Sequence, residues 1–147
     1  MILIKNEQTF PVDIKALEQH TKIALDALDY ADFDINIVLV TPEAMQKYNN
    51  DFRDRDRVTD ILSFPFHLIA AGARIEPETE DDKNLGDIII CPQYVNDDLD
   101  RWQMSFDNRM DMLLVHGICH LLGYDHIEDK DYEVMKKKEA SLLKMLQ

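Results

Sequence analysis

The chain has 147 residues, 46% hydrophobic and 31% charged, and its 16 Lys and Arg against 29 Asp and Glu give a formal charge of −13. Such a length fits one domain with its own core, the composition is too apolar for wholesale disorder, and no apolar run approaches the ~20 residues of a membrane span. The acid excess counts against broad electrostatic attraction to nucleic acid or anionic membrane, both of which reward Lys and Arg. Met1 to Glu7 is a short apolar stretch without a basic leader, so the expected location is the cytoplasm. The two cysteines, Cys91 and Cys119, sit in apolar runs and read as buried reduced thiols.

Residues 2–4 read as a short strand. From about Val12 to Tyr30, Ile14, Leu17, Thr21, Ala24, Leu25 and Leu28 recur at helical spacing. Ile35 to Val40 is β-branched and reads as a strand; Thr41 and Pro42 then supply an N-cap and a first-turn proline for a helix to about Asn50. Ile61 to Phe66 predicts a third strand, placed at an edge or a strand end by Pro65, and Leu85 to Cys91 a fourth, mostly buried one. Between them the acidic run Glu76 to Asp82 lacks periodicity and the spacing of a calcium loop, and reads as a solvated hairpin loop. Ser105 caps a helix bearing Met112, Leu113, Val115 and Leu121 that stops at Gly123; a last helix runs from about Glu128 to Leu146 with Val134, Met135, Leu142, Leu143 and Leu146. The expected fold is α+β: a single domain over 1–147 with a small mixed sheet of about four strands packed with helices.

Three of the five histidines, His116, His120 and His126, fall in one short segment. On a helix His116 and His120 lie about 40° apart with about 6 Å of rise, so both imidazoles can grip one ion. His126 joins them only if the chain turns back after Leu122, and Gly123 stands where that turn is required. Three neutral imidazoles with a fourth position open to water make a catalytic rather than a structural zinc site. Cys119 is an open alternative as a fourth ligand, and Ni2+ or another borderline ion suits the same donors.

The spacing equals that of the metzincin protease zinc motif, but Gly117 stands where those enzymes carry their Glu general base. Peptide hydrolysis is thereby disfavoured against a phosphodiester, which depends more on Lewis acidity and a positioned Arg. Arg53, Arg55 and Arg57 alternate with Asp54 and Asp56 just before the third strand. By pattern alone this is a solvated, self-paired face.

His116-Gly117 through His120-Leu121, then Gly123-Tyr124-Asp125-His126, resembles the signature of the YbeY family of bacterial metal-dependent endoribonucleases. Two further blocks carry the likeness: Asn49, Phe52, Arg53 and Asp56 leading into Thr59-Asp60-Ile61-Leu62-Ser63-Phe64-Pro65, and Leu85-Gly86-Asp87-Ile88. Val58 and Phe52 replace the family's usual proline and tyrosine without removing a ligand. The resemblance implies zinc held by His116, His120 and His126, with Arg53 as partner and single-stranded RNA as substrate. It also implies a role in ribosomal RNA maturation, at the small-subunit 3′ end, and in ribosome quality control with the ribosome or its proteins as partners; neither DNA nor membrane is expected. The competing readings are a metzincin-like metalloprotease and a non-catalytic ribosome-associated zinc protein. Asp125 is a candidate to orient a ligand histidine or to cap the turn, whereas Asp87 and Ser63 read as structural.

Overall fold

The computed structural model describes all residues, 1–147. Its elements in chain order are β1 (Ile2–Asn6), α1 (Ile14–Ala27), β2 (Asp34–Leu39), α2 (Pro42–Arg53), β3 (Ile61–Pro65), β4 (Asn84–Ile90), α3 (Pro92–Asp97), α4 (Leu99–Trp102), α5 (Phe106–Leu121) and α6 (Asp129–Leu146). The four strands form one sheet in the order β1-β2-β4-β3. The β1–β2 and β2–β4 pairs are parallel and β3–β4 is antiparallel, so the sheet is mixed and the fold α+β as expected. Pro65 closes the edge strand β3, where the missing N–H costs no ladder bond. Glu76 to Asp82 lies in the long connection between the antiparallel β3 and β4, with a 3-10 turn at Glu80–Asp82.

Local signals set the helix starts. The side chains of Asp13, Thr41 and Ser105 accept from the backbone N–H groups of Ala16, Ala44 and Asn108, satisfying donors left free in the first turn. Two helices, α3 and α4, escaped sequence reading because each is shorter than two turns, too short for apolar periodicity to register. No helix is long and apolar enough to cross a membrane.

Strand alternation divides the sheet into two faces. Ile35, Ile37, Leu39, Ile88 and Ile90 are fully buried toward α1 and α5, and β2 with β4 forms the floor of the main core. Helix α5 lies on β3 and β4 with α6 packed outside it. Leu114, Val115, Ile118, Cys119 and Leu121 are fully buried along α5, and each such Leu or Ile contributes about 1.5–3 kcal/mol. This helix is therefore a rigid platform for what its C-terminal end carries. In α6, Met135 and Leu142 are buried as expected, but Val134 is 45% exposed because it points one helical step away from that stripe. A smaller core of Val40, Met45, Leu62, Ile89 and Cys91 sits under α2 on the opposite face.

Candidate metal centre and nucleic-acid interface

The last turn of α5 and the segment after it bring His116, His120 and His126 together, with donor atoms within 4.8 Å of one another. The return is a Schellman turn: Tyr124 N–H donates to the Cys119 carbonyl and Gly123 N–H to the His120 carbonyl. Gly123 has φ +89°, and a Cβ there would lie 2.2 Å from the Ile69 carbonyl oxygen, so both conformation and space require glycine. The turn also orients a ring, because His120 Nδ1 donates to the Tyr124 carbonyl at 3.0 Å.

Assigned from their partners, two of the imidazoles hold the same tautomer. His116 Nδ1 donates to Glu139 Oε2 at 3.0 Å, as His120 Nδ1 does to Tyr124. Their Nε2 atoms then present bare lone pairs to each other 3.0 Å apart. Two acceptors in that geometry repel unless a cation lies between them, so the donor set suits a metal ion. Burial, then the neighbouring His116 and His126, push the His120 imidazole down to about 4, leaving it neutral and able to ligate at neutral pH. Cys119 faces the core, where burial pushes its thiol up to about 12, and it is its position there, fully buried and outside the cluster, that removes it as a fourth ligand.

Glu139 is the residue sequence reading missed. It lies on α6 between Met135 and Leu142 in the buried stripe and is only 8% exposed. An acid at a position where the helical period calls for an apolar side chain was the available signal. Asp125, by contrast, receives the His126 backbone N–H at 2.6 Å, so it caps the turn rather than steering a ring. Asp87 accepts from Asn36 Nδ2 and has the structural hydrogen bond expected of it.

Gly117 has a packing explanation. A Cβ there would lie 3.0 Å from the Ile61 and Ile88 side-chain tips and 3.3 Å from Ser63 Oγ. Its absence lets α5 settle onto β3 and β4, and a glutamate at that position would point into the sheet. Asp60 and Asp125, beside the histidines, and Glu139 behind them each have a partner: Asp60 binds Arg109 at 3.1 Å, Asp125 the turn and Glu139 His116.

Arg53 and Arg55 line the same cavity of about 700 Å³ as the three histidines, together with Ser63 and Tyr124. Self-pairing of the Arg–Asp run is not observed. The ion pairs made by Lys and Arg side chains are Lys47–Asp51, Lys83 with Asp32 and Glu80, Arg101–Asp98 and Arg109–Asp60. Arg53, Arg55 and Arg57 are exposed and outside that set, because the left-handed Asp54 ends α2 and breaks the regular spacing that pairing needs. His20 pairs with Asp111 at 2.7 Å and His67 Nε2 meets the Asp82 carbonyl at 2.7 Å, both away from the cavity.

Known proteins resemble the chain along nearly its whole length. A human protein named Endoribonuclease YbeY is 32% identical over 144 residues, 97% of this chain and 86% of the relative. A protein of the same name from Finegoldia magna is 35% identical over 150 residues, covering 98% and 92%. The solution structure of TM1509 from Thermotoga maritima superposes with a TM-score of 0.67 at 28% identity over 99% of this chain and 89% of that one. The human relative shows that the family extends beyond bacteria. With residues 3–147 matching the family profile described as Endoribonuclease YbeY, and with the histidine signature folded into one cluster, the chain belongs to the YbeY family.

Proposed function

We propose that this protein is a zinc-dependent endoribonuclease for single-stranded RNA, with His116, His120 and His126 as the ligands and Arg53 as the residue that steadies the reacting phosphodiester. The observation that carries the reading is the convergence of three metal-competent imidazoles and two unpaired arginines in one cavity. That combination suits an anionic substrate, and the relatives' name supplies its class. Zinc bound there would provide Lewis acidity toward a phosphoryl oxygen and a lowered pKa for a coordinated water.

The protein's own residues divide the remaining work. Glu139 and the Tyr124 carbonyl hold two imidazoles in the ligating tautomer, sparing the site that reorganisation. Arg53, at the end of α2, offers a fork of N–H donors to the non-bridging oxygens as negative charge develops. Asp60, Asp125 and Glu139 are each engaged by an ion pair or hydrogen bond of their own, which counts against any of them as a protease-type base.

The proposal includes cytoplasmic action on ribosomal RNA, at the small-subunit 3′ end and in ribosome quality control. A formal charge of −13 supports targeting by a ribosomal partner, since affinity for free RNA must come from one small patch. The test is cleavage of a single-stranded RNA and an unstructured peptide, side by side, by nuclease-free native protein, chelated protein, His116→Ala and Arg53→Ala. The expected result is RNA cleavage that chelation and either substitution suppress. RNA cleavage surviving both chelation and His116→Ala overturns the proposal, and chelator-sensitive peptide cleavage with RNA untouched replaces it with the protease reading.

A further inference from the structure

The histidines sit at a junction. A second cavity, of about 650 Å³, shares Arg55, Asp60, Ile61, His116 and His126 with the first and extends away from Arg53 toward α4 and α6. Each lobe is large enough for a ligand of nucleotide size. An enzyme that cuts within a strand must hold the chain on both sides of the reacting phosphate, and two lobes meeting at one metal-competent cluster provide that shape.

The two lobes differ in lining. The first offers Arg53, Ser63 and Tyr124, whereas the second holds Tyr94, Trp102 and Tyr132 among the cations Arg55, Arg101 and Lys136. Trp102 is 36% exposed and held in place. Its Nε1 donates to Asp98 at 3.3 Å, and the Arg109 guanidinium lies 3.6 Å from the ring centroid. Arg109 is itself buried and tied to Asp60, so it braces the indole from behind. Tyr132 is 50% exposed, and Lys136, one helical turn on, stands over its ring at 5.4 Å. Arg55 and Lys136 have no carboxylate partner in a chain with a large excess of acids.

A braced indole and an exposed phenol beside two unpaired cations, Arg55 and Lys136, are what a single-stranded nucleic acid requires: a surface on which a base can stack and charges for the phosphates beside it. We infer that the lobe bounded by Trp102, Tyr132 and Lys136 is a nucleotide subsite, seating the base adjoining the scissile phosphodiester against the rings and its phosphate between Arg55 and Lys136. This rests on the endoribonuclease reading above and adds the direction in which the strand leaves the metal centre.

Trp102 is the sole tryptophan, so its fluorescence reports occupancy of the lobe independently of cleavage. The experiment titrates the metal-loaded protein with a mixed-sequence 2′-O-methyl hexaribonucleotide, single-stranded and as a duplex, and with an acidic peptide. KM and kcat for cleavable RNA are measured alongside. The single strand is expected to quench Trp102 while duplex and peptide do not. Tyr132→Ala weakens binding and raises KM about tenfold with kcat unchanged, and Tyr132→Phe restores both. Lys136→Ala lowers the slope of log affinity against log salt by about 0.7. Both positions are exposed, so the variants keep the native melting temperature. Absence of quenching in protein that cleaves RNA, an unchanged KM in Tyr132→Ala, or quenching by the peptide alone overturns the inference. Quenching by the single strand without RNA cleavage supports the subsite and counts instead against the endoribonuclease reading.

Discussion

The histidine turn and the arginine segment face each other across one cavity but are held by opposite means. His116 to His126 is one continuous stretch whose helix, Schellman turn and ring hydrogen bonds are nearly all local, with one distant hydrogen bond from a ring, to Glu139. Arg53 and Arg55 lie far away in the chain, are exposed and form no ion pair. The difference is one of preorganisation: the turn spends its contacts on a fixed geometry suited to a metal, while the arginines stay free for an anionic ligand.

If that division holds, substitutions in the two regions move different readouts. The largest effect is expected from His116→Ala, which leaves two imidazoles: metal content falls from about one equivalent to near none, measured by elemental analysis, and RNA cleavage goes with it. Arg53→Ala should lower kcat by about 10²–10³-fold while metal content and melting temperature stay at native values. A loss of metal in that variant would break the distinction. Glu139→Gln keeps an acceptor for His116 but not its charge, and should weaken metal affinity by about 10-fold in chelator competition, with most of kcat recovered at saturating metal. Unchanged affinity would reduce Glu139 to a packing role.

The smallest effect is expected at Gly117. Its replacement by Ala gains about 1 kcal/mol in helix propensity and costs about 1–3 kcal/mol in crowding against Ile61 and Ile88, a net loss near 1 kcal/mol by urea unfolding. Metal affinity should not change, because the added methyl points to the sheet and away from the histidines.

Residues whose partners are near in the chain were readable in advance. Thr41 and Ser105 announce helix starts, and Gly123 the turn that returns His126, because caps and turns depend on a few consecutive residues. Asp125 and Cys119 were ambiguous: helical spacing places a side chain on a face but does not say whether the core or the cavity covers that face. Glu139, Trp102 and Tyr132 carry no motif and enter the site only through the packing of α6 and α4 beside α5.

By itself, then, the amino-acid sequence determined the α+β class, the principal strands and helices, and a three-histidine cluster on a helix and its turn. Hydrophobic period and i, i+4 spacing are properties of a single segment and need no knowledge of its neighbours. Tertiary structure alone decided the strand order β1-β2-β4-β3, the freedom of the arginines, the Glu139 contact and the second lobe. Each depends on contacts between segments distant in the chain, where burial and approach settle which of several locally acceptable roles a side chain takes.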